Sequence, residues 1–137
     1  MGDGMCADCN ELKMSGVVVS GVYPVKLPSG LVLNVYCDMD TDHGGWTLIQ
    51  RRQDGSLNFT RNWDDYAFGF GNVNAEFWLG NENIYTLTKD TNYTLRIDLW
   101  DWEDQQVYAK YSFVSIVPTV GEFSSDQPLP RPIETGK

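Results

Sequence analysis

The stretch Val35 to Arg52, VYCDMDTDHGGWTLIQRR, constrains this chain more than any other. The preceding run, Leu31 to Cys37, is rich in β-branched and aromatic residues and alternates partly with period two. Asp38 to Gly45 is polar and ends in two glycines, which give the backbone access to positive φ for a reversal. Trp46 to Gln50 resumes the strand pattern, and Arg51-Arg52 ends it. The stretch predicts an antiparallel pair joined by an acidic turn. Cys37, at the end of the first strand, is placed to be tied to something earlier.

At 137 residues the chain is one domain or less, able to bury a real but modest core. Hydrophobic content of 42% with five Trp argues for a globule rather than disorder. A net charge of −9, with ten scattered Lys and Arg, argues against a nucleic-acid partner. No apolar run approaches the ~20 residues that span a bilayer. Met1 to Asn10 lacks the apolar core of a secretory signal, so a secreted chain of this kind needs a leader outside this sequence.

Three cysteines leave two readings open. Cys6, Cys9 and Cys37 with His43 have the donor set of a Cys3His zinc site. Against it, the Cys6-x-x-Cys9 pair is isolated and His43 sits in a turn. A redox role for that pair needs a βαβ context, which is absent. The preferred reading is a Cys9–Cys37 disulfide with Cys6 left for an interchain bond. Chain entropy makes such a loop worth about 3 kcal/mol. Two sequons, at Asn58 and Asn92, agree with an oxidising, extracellular setting.

Along the chain, Asp8 or Cys9 to Met14 predicts a short helix with Asp8 as N-cap and Glu11 completing a capping box. Val17 to Val25 predicts a strand that Gly21 and Pro24 keep short or at an edge. Leu57 to Gly71 interleaves aromatics with Asp, Asn and Gly and reads as an irregular packed loop. Glu76 to Leu79 is a short strand or helix start, and Asn81 to Leu87 a short helix. Tyr93 to Trp100 alternates, with Tyr93, Leu95, Ile97 and Leu99 on one face and Thr94, Arg96, Asp98 and Trp100 on the other. Val107 to Ile116 returns as its partner, with Val107, Ala109, Tyr111 and Phe113 turned inward. Val117 to Lys137 holds four of the six prolines and no period, and reads as a disordered tail.

A family resemblance rests on Ser20-Gly21-Val22-Tyr23, Val35 to Met39, Gly44 to Thr47, Gln50 to Ser56, Gly69-Phe70-Gly71 and Glu76 to Glu82. With GGWTLIQRRQDGS and EFWLGNEN at its centre, the chain closely resembles the fibrinogen-related domain of fibrinogen chains, ficolins, tenascins, angiopoietins and invertebrate lectins. The likeness covers residues 6–116, after an extension 1–5 and before the divergent tail 117–137. It implies an α+β fold, mostly antiparallel sheet with short helices, and a Cys9–Cys37 disulfide. It also implies a secreted, non-catalytic recognition module, most like innate-immune lectins, with extracellular glycans or proteins as partners. The alternative is a structural or signalling module that works through protein contacts. The family's ligand pocket and calcium loop lie further on than the matched residues. No cofactor and no ligand residue is therefore carried over, and the domain reads as truncated, with self-association through Cys6 or an open sheet edge.

Each cluster with chemical potential has a plainer reading. Asp38, Asp40 and Asp42 mimic a calcium loop, but His43 and Ile49 stand where its Gly and closing acid belong. Asp98, Asp101, Glu103 and Asp104 suggest paired carboxylates, yet three of the four share one turn, so a charged hairpin tip is expected. Asp64-Asp65 reads the same way. His43, the sole histidine, lies in a glycine-flanked turn unsuited to catalysis. Gly69-x-Gly71 lacks the spacing and Lys of a phosphate loop. Trp63, Trp78, Trp100 and Trp102 are expected mostly in the core, with Trp100 and Trp102 the most exposed.

Overall fold

The computed structural model describes residues 5–89, 91–101, 103–114 and 133–136. Helix α1, Cys9–Met14, forms where the capping signal stands: the Asp8 carboxylate accepts the Glu11 N–H at 2.8 Å, and the Glu11 carboxylate accepts the Ala7 N–H. The first bond satisfies a donor that a helix start leaves orphaned, and the second anchors the residue just before the cap. Asp8 is buried, and its other oxygen accepts the Tyr93 hydroxyl at 2.6 Å, which ties the helix start to a residue 85 positions further along the chain.

Strands β1 (Gly21–Lys26) and β2 (Val32–Asp38) pair antiparallel from Gly21↔Cys37 to Lys26↔Val32. Strand β3 (Trp46–Arg51) meets β2 only at Cys37↔Thr47 and Asp38↔Trp46. The expected turn between them is a knuckle with one 3-10 turn, Thr41–His43, in which Asp42 and His43 take left-handed φ of 40° and 71°. Gly44 follows at φ 75°; a Cβ there would stand 2.3 Å from the Met39 carbonyl oxygen, so only glycine fits. The Trp46 indole N–H donates to the carbonyls of Thr41 and Asp42 and fixes the knuckle over the sheet.

Within Leu57 to Gly71 the structure places a helix, α2 (Trp63–Phe68), that aromatic spacing did not reveal. Asn62 caps it by accepting the Asp65 N–H. Short strands β4 (Phe70–Gly71) and β5 (Phe77–Trp78) pair with each other, and β5 pairs with the end of β3. Helix α3 spans Asn81–Thr88. Phe59, Tyr66 and Phe70 meet edge to face, and the Trp78 indole N–H donates to the Tyr66 carbonyl. The core runs from Val25, Val35 and Ile49 through Phe77 to Ile84 and Tyr93.

A buried carboxylate shapes the loop after β3. Glu76 accepts the backbone N–H groups of Gln53 (2.6 Å), Asp54 (3.0 Å), Gly55 (3.0 Å) and Leu57 (2.8 Å). Burial pushes its pKa up, but these four donors outweigh it and hold the carboxyl down at about 2.

Strands β6 (Tyr93–Trp100) and β7 (Gln106–Val114) form the predicted hairpin. Its faces are not filled as the alternation suggests. Arg96 and Asp98, from the face expected to be wet, are buried, whereas Val107 and Tyr111 are exposed and Ala109 is half-buried. Asp42 of the Thr41–His43 knuckle pairs with Arg96 on the polar face, while the other face is covered only in part: Tyr93 and Leu95 pack against the core, and Val107 and Tyr111 lie beyond it. A second correction concerns the tail. Residues 133–136 form strand β8 (Ile133–Gly136), seated between β3 and β6, rather than irregular chain. The expectation for residues 117–132 lies outside the described residues. The sheet order is β1-β2-β3-β8-β6-β7, with β4 and β5 attached beside β3.

Candidate functional site

Each strand of the sheet sends alternate side chains to one face. On the face under the knuckle these gather around a cleft of about 280 Å³. Tyr36 and Leu48 contribute to its lining, Ser20, Asp40 and Thr41 stand on the knuckle side, and Asp98 and Trp100 come from β6. Arg51 and Arg52 also line it. The Arg51 guanidinium lies 4.2 Å from the Tyr36 ring centroid and donates to the carbonyls of Val73 and Ala75. Trp100 is 59% exposed, so an indole face is offered beside charged and hydroxyl groups.

An ion cluster joins the knuckle to the hairpin. Arg96 donates through Nη1 to Asp42 at 2.9 Å and through Nε to both Asp98 oxygens at 3.0 and 3.1 Å. Lys110 pairs with the same Asp42 oxygen, and the Gln106 amide donates to Asp98 at 2.9 Å. The Lys110 hydrogen bond, followed by the field and hydrogen bond of Arg96, holds the Asp42 carboxyl below its usual range against some desolvation. Asp98, by its hydrogen bond, and then Asp42 raise the Arg96 pKa against desolvation. Two carboxylates meet two cations, so the cluster is neutral in itself. The Arg96 guanidinium also stacks 4.1 Å from the Tyr108 centroid.

The residues singled out from sequence separate into distinct fates. Cys9 and Cys37 are both fully buried and joined as a disulfide, which leaves them unavailable to zinc. Cys6 is half-buried and carries no disulfide. Asn58 and Asn92 are exposed. Asp38 accepts the N–H groups of Asp40 and Thr41, Asp42 turns to the ion cluster, and His43 is exposed. Among the described residues no three His, Cys, Asp or Glu side chains converge as metal ligands. Asp101 accepts the N–H groups of Glu103 and Gln105 and so holds the acidic turn. Asp98, grouped with that turn from sequence, instead belongs to the buried cluster. Trp63 is partly exposed, Trp78 is buried, and Trp102 lies outside the described residues. Among the described residues no helix is long and apolar enough to cross a membrane.

Sequence reasoning missed the Asp42–Arg96–Lys110 linkage, because its members lie 54 or more residues from Asp42. The one local signal was Arg96 and Asp98 two apart on a strand, where opposite charges share a face.

Comparison with known proteins agrees with this architecture. The C-terminal globular domain of fibrinogen beta and gamma chains matches residues 5–123. Human angiopoietin-related protein 1 is 48% identical over 117 residues, which cover 85% of this chain and 24% of that protein. Human ficolin-3 is 46% identical over 116 residues, covering 85% of this chain and 39% of its own length. The fibrinogen-like globe domain of human ANGPTL6 superposes with a TM-score of 0.80 at 41% identity, over 84% of this chain and 51% of that one. A lamprey fibrin D-dimer, solved with the peptide ligand Gly-His-Arg-Pro-amide, superposes at 0.78 and 41% identity over 86% of this chain and 38% of its own. The chain thus spans about half of the solved globe domain and less of the curated relatives. With GGWTLIQRRQDGS, the Cys9–Cys37 disulfide and the sheet all in accord, the chain belongs to the fibrinogen C-terminal globular domain family.

Proposed function

We propose that the chain is a secreted, non-catalytic recognition module whose described half contacts its ligand through the cleft beside Trp100. The exposed Trp100 face next to Ser20, Asp40, Arg51 and Arg52 carries this reading. A flat indole stacks on the apolar face of a sugar ring while carboxylate, guanidinium and hydroxyl groups take its hydroxyls. A single sugar unit suits the volume of the cleft, so the leading ligand is an extracellular glycan. The disulfide and the exposed sequons at Asn58 and Asn92 suit an oxidising compartment. The reading gives Cys6 to an interchain bond. It needs no cofactor and assigns calcium no residue of this chain.

A second reading, protein contact, is favoured by the lamprey fibrin relative, which was solved with a peptide. A glycan array with and without calcium, run on the chain and on Trp100→Ala, separates the two. Calcium-independent glycan binding lost in Trp100→Ala supports the first. An empty array beside measurable binding of a short extended peptide supports the second. Glycosidase turnover lost on Asp98→Asn would sink both.

A further inference from the structure

Among the described residues the sheet has two outer strands, and they are built differently. Strand β1 carries Gly21, Pro24 and Lys26, residues that discourage another strand from pairing there. Strand β7 is nine residues long, QVYAKYSFV, with neither proline nor glycine. Its one charge, Lys110, is turned onto Asp42. Val107 and Tyr111 are 63% and 53% exposed, and with Ala109 they continue an apolar strip from Leu95, Ile97 and Leu99 on β6. An edge of this kind, long, apolar and without a free charge, is a template for pairing.

We propose that β7 is a self-pairing edge: two copies of the chain join β7 to β7 antiparallel about a twofold axis at Ala109. The strand's own order selects that register. Centred on Ala109, Val107 faces Tyr111 of the second copy, and Tyr108 faces its Lys110. The first pair extends the apolar strip across both molecules, and the second sets a cation against a ring. Centring one residue later would oppose Lys110 to Lys110, which like-charge repulsion disfavours. Centring on Tyr108 shortens the overlap and sets Lys110 against Gln106. The interface is isologous, as a twofold requires.

Sedimentation equilibrium up to about 100 µM, a range suited to weak small-area pairs, tests the inference. The chain is expected to show a concentration-dependent dimer. A lysine at an edge position blocks pairing, so Tyr111→Lys should weaken the dimer about tenfold or more while the far-ultraviolet circular dichroism stays unchanged. Val18→Lys, at an exposed apolar residue away from the edge, should leave it intact. In a Cys6→Ser background, Ala109→Cys should crosslink to itself on oxidation faster than Val107→Cys does. A monomer at every concentration would overturn the proposal. So would a dimer indifferent to Tyr111→Lys, or faster crosslinking from Val107→Cys.

Discussion

Replacing Glu76 by Gln should unfasten the loop that follows β3. Four backbone N–H groups point at this carboxylate, and the side chain is 3% exposed. Gln keeps one acceptor oxygen but sets an NH2 donor against N–H donors, so at least one charge-assisted bond becomes a donor–donor clash. A shift from 4.5 to about 2 corresponds to about 3 kcal/mol of preference for the charged form. Gln53 to Ser56 are themselves exposed, so solvent screens part of that, and about 2 kcal/mol is the expected loss. For a domain of this size that is roughly 6–10 °C in Tm. The pH dependence carries the sharper test. A depressed carboxyl pKa gives stability that is present above the unfolded value of 4.5 and is lost as pH falls through the folded value of about 2. Thermal melts of the chain and of Glu76→Gln should differ fully at pH 7, less at pH 3.5, and hardly at pH 2, with exposed Glu82→Gln as a control. Equal stability at pH 7, or a gap that persists at pH 2, would contradict this role for Glu76.

Three further outcomes follow from the same structure. Tyr93→Phe removes the hydroxyl donated to buried Asp8 and should cost about 1–3 kcal/mol, read by chemical denaturation, with hydrogen exchange rising first in α1. Arg96→Met leaves Asp98 in a buried site without its guanidinium and should cost about 3 kcal/mol; exchange should quicken across Thr41–His43, because the knuckle loses its tie to the hairpin. Non-reducing peptide mapping should recover Cys9 linked to Cys37, and reduction should lower stability by about 3 kcal/mol; a Cys6–Cys9 link would contradict the fold.

What could be read in advance was what is encoded locally. Asp8 and Glu11 sit three apart and cap α1 without help from the rest of the chain. The alternation of Tyr93 to Trp100 located β6, and the motif from Gly44 to Ser56 located the family. The errors arose where a distant partner decides the outcome. Alternation cannot say which face of a hairpin is covered, so Arg96 and Asp98 were expected in water, while Asp42 and Lys110 bury them from elsewhere in the chain. Helix α2 has only six residues, too few for a helical period to emerge from its aromatics, and its cap, Asn62, doubles as a turn residue. Strand β8 is four residues in a proline-rich context, and its place depends on the gap between β3 and β6. The cleft is likewise made by three strands and a knuckle, so no single stretch announces it.

The contact surface we propose is the cleft beside Trp100. The direct measurement is heteronuclear NMR of the chain titrated with the tightest glycan from the array, or with the peptide if the array is empty. The largest shifts are expected at the Trp100 indole, Ser20, Thr41, Arg51 and Arg52, and should disappear in Trp100→Ala. Shifts centred elsewhere, on α2 or the β1 edge, with the Trp100 indole unmoved, would contradict it.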